Sequence, residues 1–250
     1  MNMKGKVAIV TGGARDIGRA ISIKLASLGV KVVVNYYNNP EEAQETIEMI
    51  KEAGGEAIAV QGDMTKNTDI LTLVSETVNT YGDQIHILVN VAGGLVARKT
   101  IEEMDEAFWD NMMTLNLKTV FMVTKAVKPY MPQGSSIVNF ASQAGRDGGG
   151  PGAAAYATAK GAVMTYTRAL AKEFGPQQIR VNALCPGMIS TTFHDTFTKD
   201  EVRTKVAAST PLRREGEARE VADLVAYLAS EESSFLTGNN IDINGGLCFS

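Results

Sequence analysis

Two hydrophobic periods alternate along this 250-residue chain, and that alternation restricts the folds open to it. Short β-branched runs occur at residues 7–11, 31–35, 57–61, 85–90, 136–141 and 180–184, with a last short one at 240–243. Between them lie longer segments of helical period at 15–28, 40–53, 67–81, 106–130, 155–174 and 218–230. Strands that are apolar nearly throughout must be covered on both faces, which calls for a parallel sheet between two layers of helices. A strict β–α alternation selects the doubly wound α/β class, here with about seven strands. Gly29 and the pair Gly54-Gly55 sit where the first two helices should stop, since a residue that tolerates positive φ ends a helix cheaply. No repeat, low-complexity linker or shift in composition divides the chain, so residues 1–250 are expected to form one domain. Residues 191–210 lack a clear core pattern. In a doubly wound protein an insertion after a late strand tends to cover the ligand crevice, and a lid at about 188–212 is expected.

Composition narrows the function classes. A hydrophobic content of 44% with 21% charged residues is ordinary for a globular protein with a buried core. The net charge is −4 and no lysine- or arginine-rich block occurs, which argues against nucleic-acid binding by phosphate neutralisation. No apolar run approaches the roughly 20 residues that span a bilayer, so no membrane segment is expected. The two cysteines, Cys185 and Cys248, form no CxxC pair and suggest reduced thiols. Strand-like sequence begins almost at once, without a signal peptide, and the expected location is cytoplasmic. The only histidines, His86 and His194, do not make up a metal cluster, and no metal is expected.

Thr11-Gly12-Gly13-Ala14-Arg15-Asp16-Ile17-Gly18 joins the first strand to the first helix. Exposed N–H groups and the positive end of a helix attract anions, so such a turn suits a pyrophosphate. On its own the pattern is equally compatible with an empty tight turn. Asp16 is the odd member, because a carboxylate aimed at a phosphate would repel it. Aspartate is also a good helix cap, and the expected arrangement is a carboxylate turned back onto the first N–H groups of its own helix.

The loop resembles the TGxxxGxG motif of the short-chain dehydrogenases/reductases, with Asp16 in place of the middle glycine. Three further stretches resemble that family's motifs in the family's order: Asn90-Val91-Ala92-Gly93 (NNAG, with Val91 for the second Asn), Tyr156-Ala157-Thr158-Ala159-Lys160 (YxxxK) and Pro186-Gly187 followed by Thr191 (PGxxxT). The resemblance covers nearly the whole chain and implies a Rossmann-like fold with an NAD(P)(H)-dependent oxidoreductase activity. It implies a catalytic tetrad of Asn116, Ser142, Tyr156 and Lys160. Tyr156 would exchange a proton with the substrate oxygen, Ser142 would hold that oxygen, and Asn116 would hold a water that links Lys160 to solvent. Tyr156 and Lys160 stand four apart, on one helical face. A nearby ammonium is expected to bring a phenol from its usual pKa of about 10 into a useful range.

For the coenzyme, the resemblance implies contacts from Gly12, Arg15, Asp16, Ile17, Asn35, Tyr36, Asp63, Met64, Asn90, Ala92, Gly93, Tyr156, Lys160, Pro186, Gly187, Ile189 and Thr191. Asp63 resembles the acid that accepts from the adenine amino group, with a turn-capping role as the alternative. An acid about 20 residues beyond the glycines ordinarily selects NAD. The second strand instead ends Val34-Asn35-Tyr36-Tyr37-Asn38-Asn39, and Arg15 lies in the loop, which favours NADP(H) over NAD(H).

For the substrate, the polar stretch after Ser142 supplies Gln143 for hydroxyls and Arg146 for a carboxylate. With Ser142 and Tyr156 these would suit a small polar carbonyl compound such as a keto sugar acid. The family's 3-oxoacyl-[acyl-carrier-protein] reductases are the alternative, although the basic residues that would meet an acidic carrier reduce to Lys125, Lys128 and Lys172. A non-catalytic dinucleotide-binding sensor, suggested by Asp16, is a more distant one. The family also implies a homotetramer, assembled through the helices at 106–130 and 155–174.

Overall fold

In the computed structural model, which describes Met1 and residues 3–249, seven strands form one fully parallel sheet in the order β3-β2-β1-β4-β5-β6-β7. They are β1 (Val7–Thr11), β2 (Lys31–Tyr36), β3 (Glu56–Gln61), β4 (Ile87–Asn90), β5 (Ser136–Phe140), β6 (Arg180–Pro186) and β7 (Asn240–Ile243). The helices are α1 (Asp16–Ser27), α2 (Pro40–Glu52), α3 (Asn67–Tyr81), α4 (Glu106–Met113), α5 (Thr119–Val127), α6 (Ala144–Asp147), α7 (Ala154–Phe174), α8 (Thr192–Phe197), α9 (Asp200–Ser209) and α10 (Ala218–Ala229). Gly29 and Gly54, at φ of 84° and 76°, follow the ends of α1 and α2.

Alternate strand residues face opposite layers. Ala8, Val10, Val32, Val34, Ile87, Val89 and Val138 pack with α1, α2 and α10, through Ile21, Leu25, Ile47, Ile50, Val221 and Val225. Ile9, Val33, Leu88, Ile137 and Val181 pack with α3, α5 and α7, through Ile70, Leu73, Val123, Leu170 and Phe174. Burying a side chain of this size contributes roughly 1.5–3 kcal/mol, so the continuous strand runs are what hold the two layers to the sheet.

Strand order reverses between β1 and β4, which pair with Thr11 opposite Asn90. A crevice for ligands opens beyond the carboxyl ends of the strands at such a reversal. The glycine loop after β1, the Val91–Gly94 segment after β4, Ser142 after β5 and Pro186 at the end of β6 all lie on that edge.

One expectation needs correction: the helix expected over 106–130 is interrupted by a π-helical turn at Thr114–Lys118 and ends in a 3-10 turn at Lys128–Tyr130. The segment expected as a lid carries helices α8 and α9, and α9 has no buried residue and hence no apolar stripe to announce it. Arg203 on α9 anchors it, with Nη2 2.7 Å from Glu215 Oε2 and Nη1 2.5 Å from Asp195 Oδ1.

Candidate active site

The loop after β1 is drawn tight by its glycines. A Cβ at Gly18 would lie 2.0 Å from the Gly12 carbonyl oxygen, so helix α1 starts directly against the turn. Across the crevice Gly93, at φ 147°, would bring a Cβ within 2.9 Å of Asn116 Oδ1 and 3.5 Å of Lys160 Nζ. These close approaches leave a cradle of backbone beside the catalytic candidates, which fits the pyrophosphate and nicotinamide ends of a dinucleotide.

Asn116 lies inside the π turn and is fully buried. Its Oδ1 accepts from the Gly94 N–H at 2.9 Å, and its Nδ2 donates to the Gly94 carbonyl at 3.0 Å and to the Met112 carbonyl at 3.1 Å. A π turn leaves a helix free to widen around a functional side chain, and here the widening fixes the β4 loop. Lys160 is 4% exposed and donates to the Phe140 carbonyl at 2.7 Å, with Nζ 5.7 Å from the centroid of the Tyr156 ring. Burial pushes its ammonium down to about 8. Tyr156 is half-buried, and the Ser142 hydroxyl is near enough to its phenol to favour the ionised form. Ser142 Oγ also accepts from the Ala144 N–H at 3.1 Å.

The expectation of a lowered phenol pKa does not hold in this arrangement. Burial raises the Tyr156 pKa above its ordinary value, opposed by the nearby Ser142 hydroxyl. Lys160 spends a donor on Phe140, and its own charge is disfavoured by burial, so desolvation of the phenol prevails.

Asp16 is also corrected. It does not cap α1: the residue before the helix, Arg15, has no side-chain cap bond, and Asp16 itself has φ 49°. A left-handed backbone costs a non-glycine residue on the order of 1–2 kcal/mol, which explains a glycine at this place in the family pattern. The Asp16 carboxylate instead reaches the lid. Oδ1 accepts from the Thr192 N–H at 3.1 Å and Oδ2 from the Thr192 hydroxyl at 2.5 Å. The Thr191 hydroxyl, in contrast, donates to the Ile189 carbonyl at 3.1 Å.

Arg146 was expected to meet a substrate carboxylate, and its guanidinium is engaged elsewhere. Nε lies 2.6 Å from Asp242 Oδ1 and Nη2 donates to the Asn240 carbonyl at 2.6 Å, which ties α6 to β7. Asn35 and Asn90 likewise keep their side chains inside the protein. Asn35 accepts from the Gly12 N–H at 3.2 Å and donates to the Gly62 carbonyl at 3.0 Å. Asn90 donates to Asn139 Oδ1 at 2.9 Å, and Asn139 donates to the Thr167 hydroxyl at 3.0 Å, a buried polar chain from β4 to α7. Asp63 Oδ1 accepts from the Thr65 N–H at 2.9 Å and hydroxyl at 2.7 Å, which caps its turn. Met64 and Ile189 are buried, while Ile17 and Val91 are partly buried against the core. Tyr36 is also only partly exposed, at the end of β2. Burial raises the Cys185 thiol to about 11, and among the described residues it has no disulfide partner.

One feature escaped the sequence. Helix α8 places Phe193 beside Tyr156, with ring centroids 6.2 Å apart, and Phe197 packs against Phe193 at 5.3 Å with the rings tilted. Leu95, Met104, Phe108 and Met112 complete this apolar cluster. His194 packs edge-on against Phe193 at 5.1 Å, and burial holds its pKa below the usual value. Gln143, expected to serve substrate hydroxyls, has a buried Oε1 with no hydrogen-bond partner, although Nε2 donates to Asp147 at 2.9 Å.

Residues 12–248 match the family profile described as Enoyl-(Acyl carrier protein) reductase. The chain is 35% identical over 244 residues to the 3-oxoacyl-[acyl-carrier-protein] reductase FabG of Staphylococcus epidermidis, covering 97% of this chain and 98% of that one. The chain belongs to the short-chain dehydrogenase/reductase family. A short-chain dehydrogenase/reductase from Serratia marcescens superposes with a TM-score of 0.93 at 31% identity, over 99% of both chains. A blue fluorescent protein from a metagenomic library, solved in complex with NADPH, gives 0.92 at 29% over the whole of both chains. An NADH-dependent reductase, A1-R', responsible for alginate metabolism, gives 0.89 at 33% over 99% of both. As a member of this family the chain is an NAD(P)-dependent oxidoreductase, and no described helix is long and apolar enough to cross a membrane.

Proposed function

We propose that the protein is an NADP(H)-preferring reductase that converts a ketone into a secondary alcohol, with Tyr156 as proton donor. The observation that carries this reading is the placement of Tyr156 beside the buried Lys160, whose Nζ lies 5.7 Å from the ring centroid, with Ser142 close by at the crevice edge of the sheet. A bound nicotinamide dinucleotide supplies the hydride. Ser142 and Tyr156 hold the substrate oxygen between them, and the phenol gives it a proton as charge develops there. A phenol held above its ordinary pKa is fully protonated at neutral pH, the state that reduction requires. Lys160, below its usual pKa, replaces that proton after turnover, and Asn116 fixes the loop that faces it.

For the coenzyme, the backbone of Gly12, Ile17, Ala92, Gly93, Pro186, Gly187 and Ile189 would line the dinucleotide, with Thr191 and Lys160 at its nicotinamide end and Asp63 with Met64 at adenine. The absence of an acid in residues 34–39, together with the largely exposed Arg15, supports NADP(H).

The aromatic lid supports a substrate with an apolar body, such as a 3-oxoacyl thioester or an aryl ketone. A keto sugar acid loses its expected anchor in Arg146. One observation still favours it: the unpartnered Gln143 Oε1 is an acceptor suited to a hydroxyl. The reading also includes a cytoplasmic homotetramer. Trp109 on α4 and Phe121 on α5, both exposed, support burial of those helices against other copies.

The test is coenzyme oxidation with acetoacetyl thioester, an aryl ketone and a keto sugar acid, run separately with NADPH and NADH. The expected result is turnover of an apolar-bodied ketone at least tenfold faster with NADPH, lost in Tyr156→Phe. Turnover unchanged by Tyr156→Phe would overturn the assignment, and a preference for the sugar acid would reverse the substrate reading.

A further inference from the structure

The Asp16–Thr192 contact joins two elements that border the crevice from opposite sides: the glycine loop after β1 and the first helix of the lid. The partners are 176 positions apart, and the carboxylate spends both oxygens on one residue. Its own backbone is held at φ 49°, a conformation that a glycine would adopt without strain. The charge is only loosely balanced, with Arg15 Nε 3.9 Å from Oδ2 and the Arg15 side chain mostly in solvent. A carboxylate is therefore fixed in the turn best suited to an anion, with one loosely held cation, Arg15, beside it.

We propose that Asp16 is a positioning residue that acts as a latch: it holds the lid to the glycine loop by a charge that competes with the coenzyme's pyrophosphate, so that coenzyme entry opens the Asp16–Thr192 contact. The inference rests on the dinucleotide reading of the crevice given above. Two like charges brought within a few ångström in a partly exposed site repel strongly enough to lower affinity by about tenfold, and salt screens the effect. Thr192 is thereby released when the pyrophosphate arrives, and the lid changes its attachment as the crevice fills. Lid position and coenzyme occupancy then share one carboxylate, and each opposes the other through it.

The experiment compares wild type, Asp16→Asn, Asp16→Gly and Thr192→Val. Dissociation constants for NADP+ and NAD+ are measured by fluorescence titration at low and high salt, and hydrogen exchange is followed over residues 192–209 without coenzyme. Asp16→Asn, which removes the charge but keeps an acceptor for the Thr192 N–H, is expected to bind coenzyme about tenfold more tightly at low salt, with the gap closing at high salt. Asp16→Gly is expected to bind at least as tightly and to exchange faster throughout the lid. Thr192→Val, which keeps the charge, is expected to loosen the lid and to gain less coenzyme affinity than Asp16→Asn. Equal dissociation constants for wild type and Asp16→Asn at low salt overturn the latch, as does unchanged lid exchange in Asp16→Gly. Failure of all four proteins to bind either dinucleotide overturns the coenzyme reading itself, a result distinct from equal binding by all four.

Discussion

Asn116 and Gly94 exchange two hydrogen bonds, the side-chain amide of one closing on the backbone N–H and carbonyl of the other at 2.9 and 3.0 Å. The pair fastens a widened helical turn to the loop after β4, and Gly93 in that loop faces both Asn116 and Lys160. Replacement of Asn116 by leucine leaves two backbone groups of Gly94 unpartnered. Each costs about 1–3 kcal/mol where it is buried. Asn116→Leu is expected to unfold about 2 kcal/mol more easily and to lose at least tenfold in kcat. Urea melts and steady-state kinetics check both, and an unchanged kcat would show that the loop keeps its place without the clamp.

Lys160 gives the chain a distinct pH signature. Burial brings its ammonium from the usual 10.5 to about 8. Between those values the unfolded chain holds a proton that the folded one has released, so the contribution of this residue to stability becomes more favourable as pH rises. Below about pH 8 both states are protonated and the full desolvation cost, about 3 kcal/mol, is present and constant. The stability of wild type relative to Lys160→Met should therefore be flat up to about pH 8 and rise towards pH 10.5. Urea unfolding at pH 7, 8.5 and 9.5 measures this, and a flat difference across the range would mean that the ammonium is hydrated in the folded protein.

Arg146 and Asp242 form a pair with side chains only 15% and 13% exposed. Removing one partner of a largely buried pair costs about 3–5 kcal/mol, because the other charge stays behind. Arg146→Met is expected to destabilise the protein by about 3 kcal/mol, and Arg146→Met with Asp242→Leu to recover much of that. A substrate-binding Arg146 would behave differently, raising KM for a carboxylated ketone in Arg146→Lys while the melting curve stayed in place. Denaturation of the single and double variants separates the two.

The features legible in the sequence are those set by local pattern. The strands were readable because a sheet covered on both sides needs unbroken runs such as Val7–Thr11 and Ser136–Phe140, every residue of which is buried. Tyr156 and Lys160 were readable because one helical turn separates them. The contacts that local pattern does not announce are those between residues far apart along the chain. Asp16 meets Thr192, and Arg146 meets Asp242 at a separation of 96, so neither contact leaves a trace in local spacing. The π turn around Asn116 depends in the same way on Gly94, 22 residues earlier. Helix α9 was missed for a different reason, since its polar faces follow no apolar period.

The lid aromatics allow the substrate class to be read from kinetics. Phe193 faces Tyr156 and Phe197 backs Phe193, so truncating either removes apolar surface beside the proposed proton donor. Burying such a ring against a substrate contributes roughly 1.5–3 kcal/mol, equivalent to a tenfold or larger change in binding. Phe193→Ala is therefore expected to raise KM for an apolar-bodied ketone at least tenfold and to leave KM for a keto sugar acid within about twofold. Phe197→Ala should follow with a smaller effect, because it acts by holding Phe193 in place. The coenzyme KM serves as the internal control, since a general collapse of the lid would raise it as well. If Phe193→Ala lowers KM for the sugar acid while sparing the apolar ketone, the ring is an obstacle in the pocket and the polar substrate is the one the site accommodates.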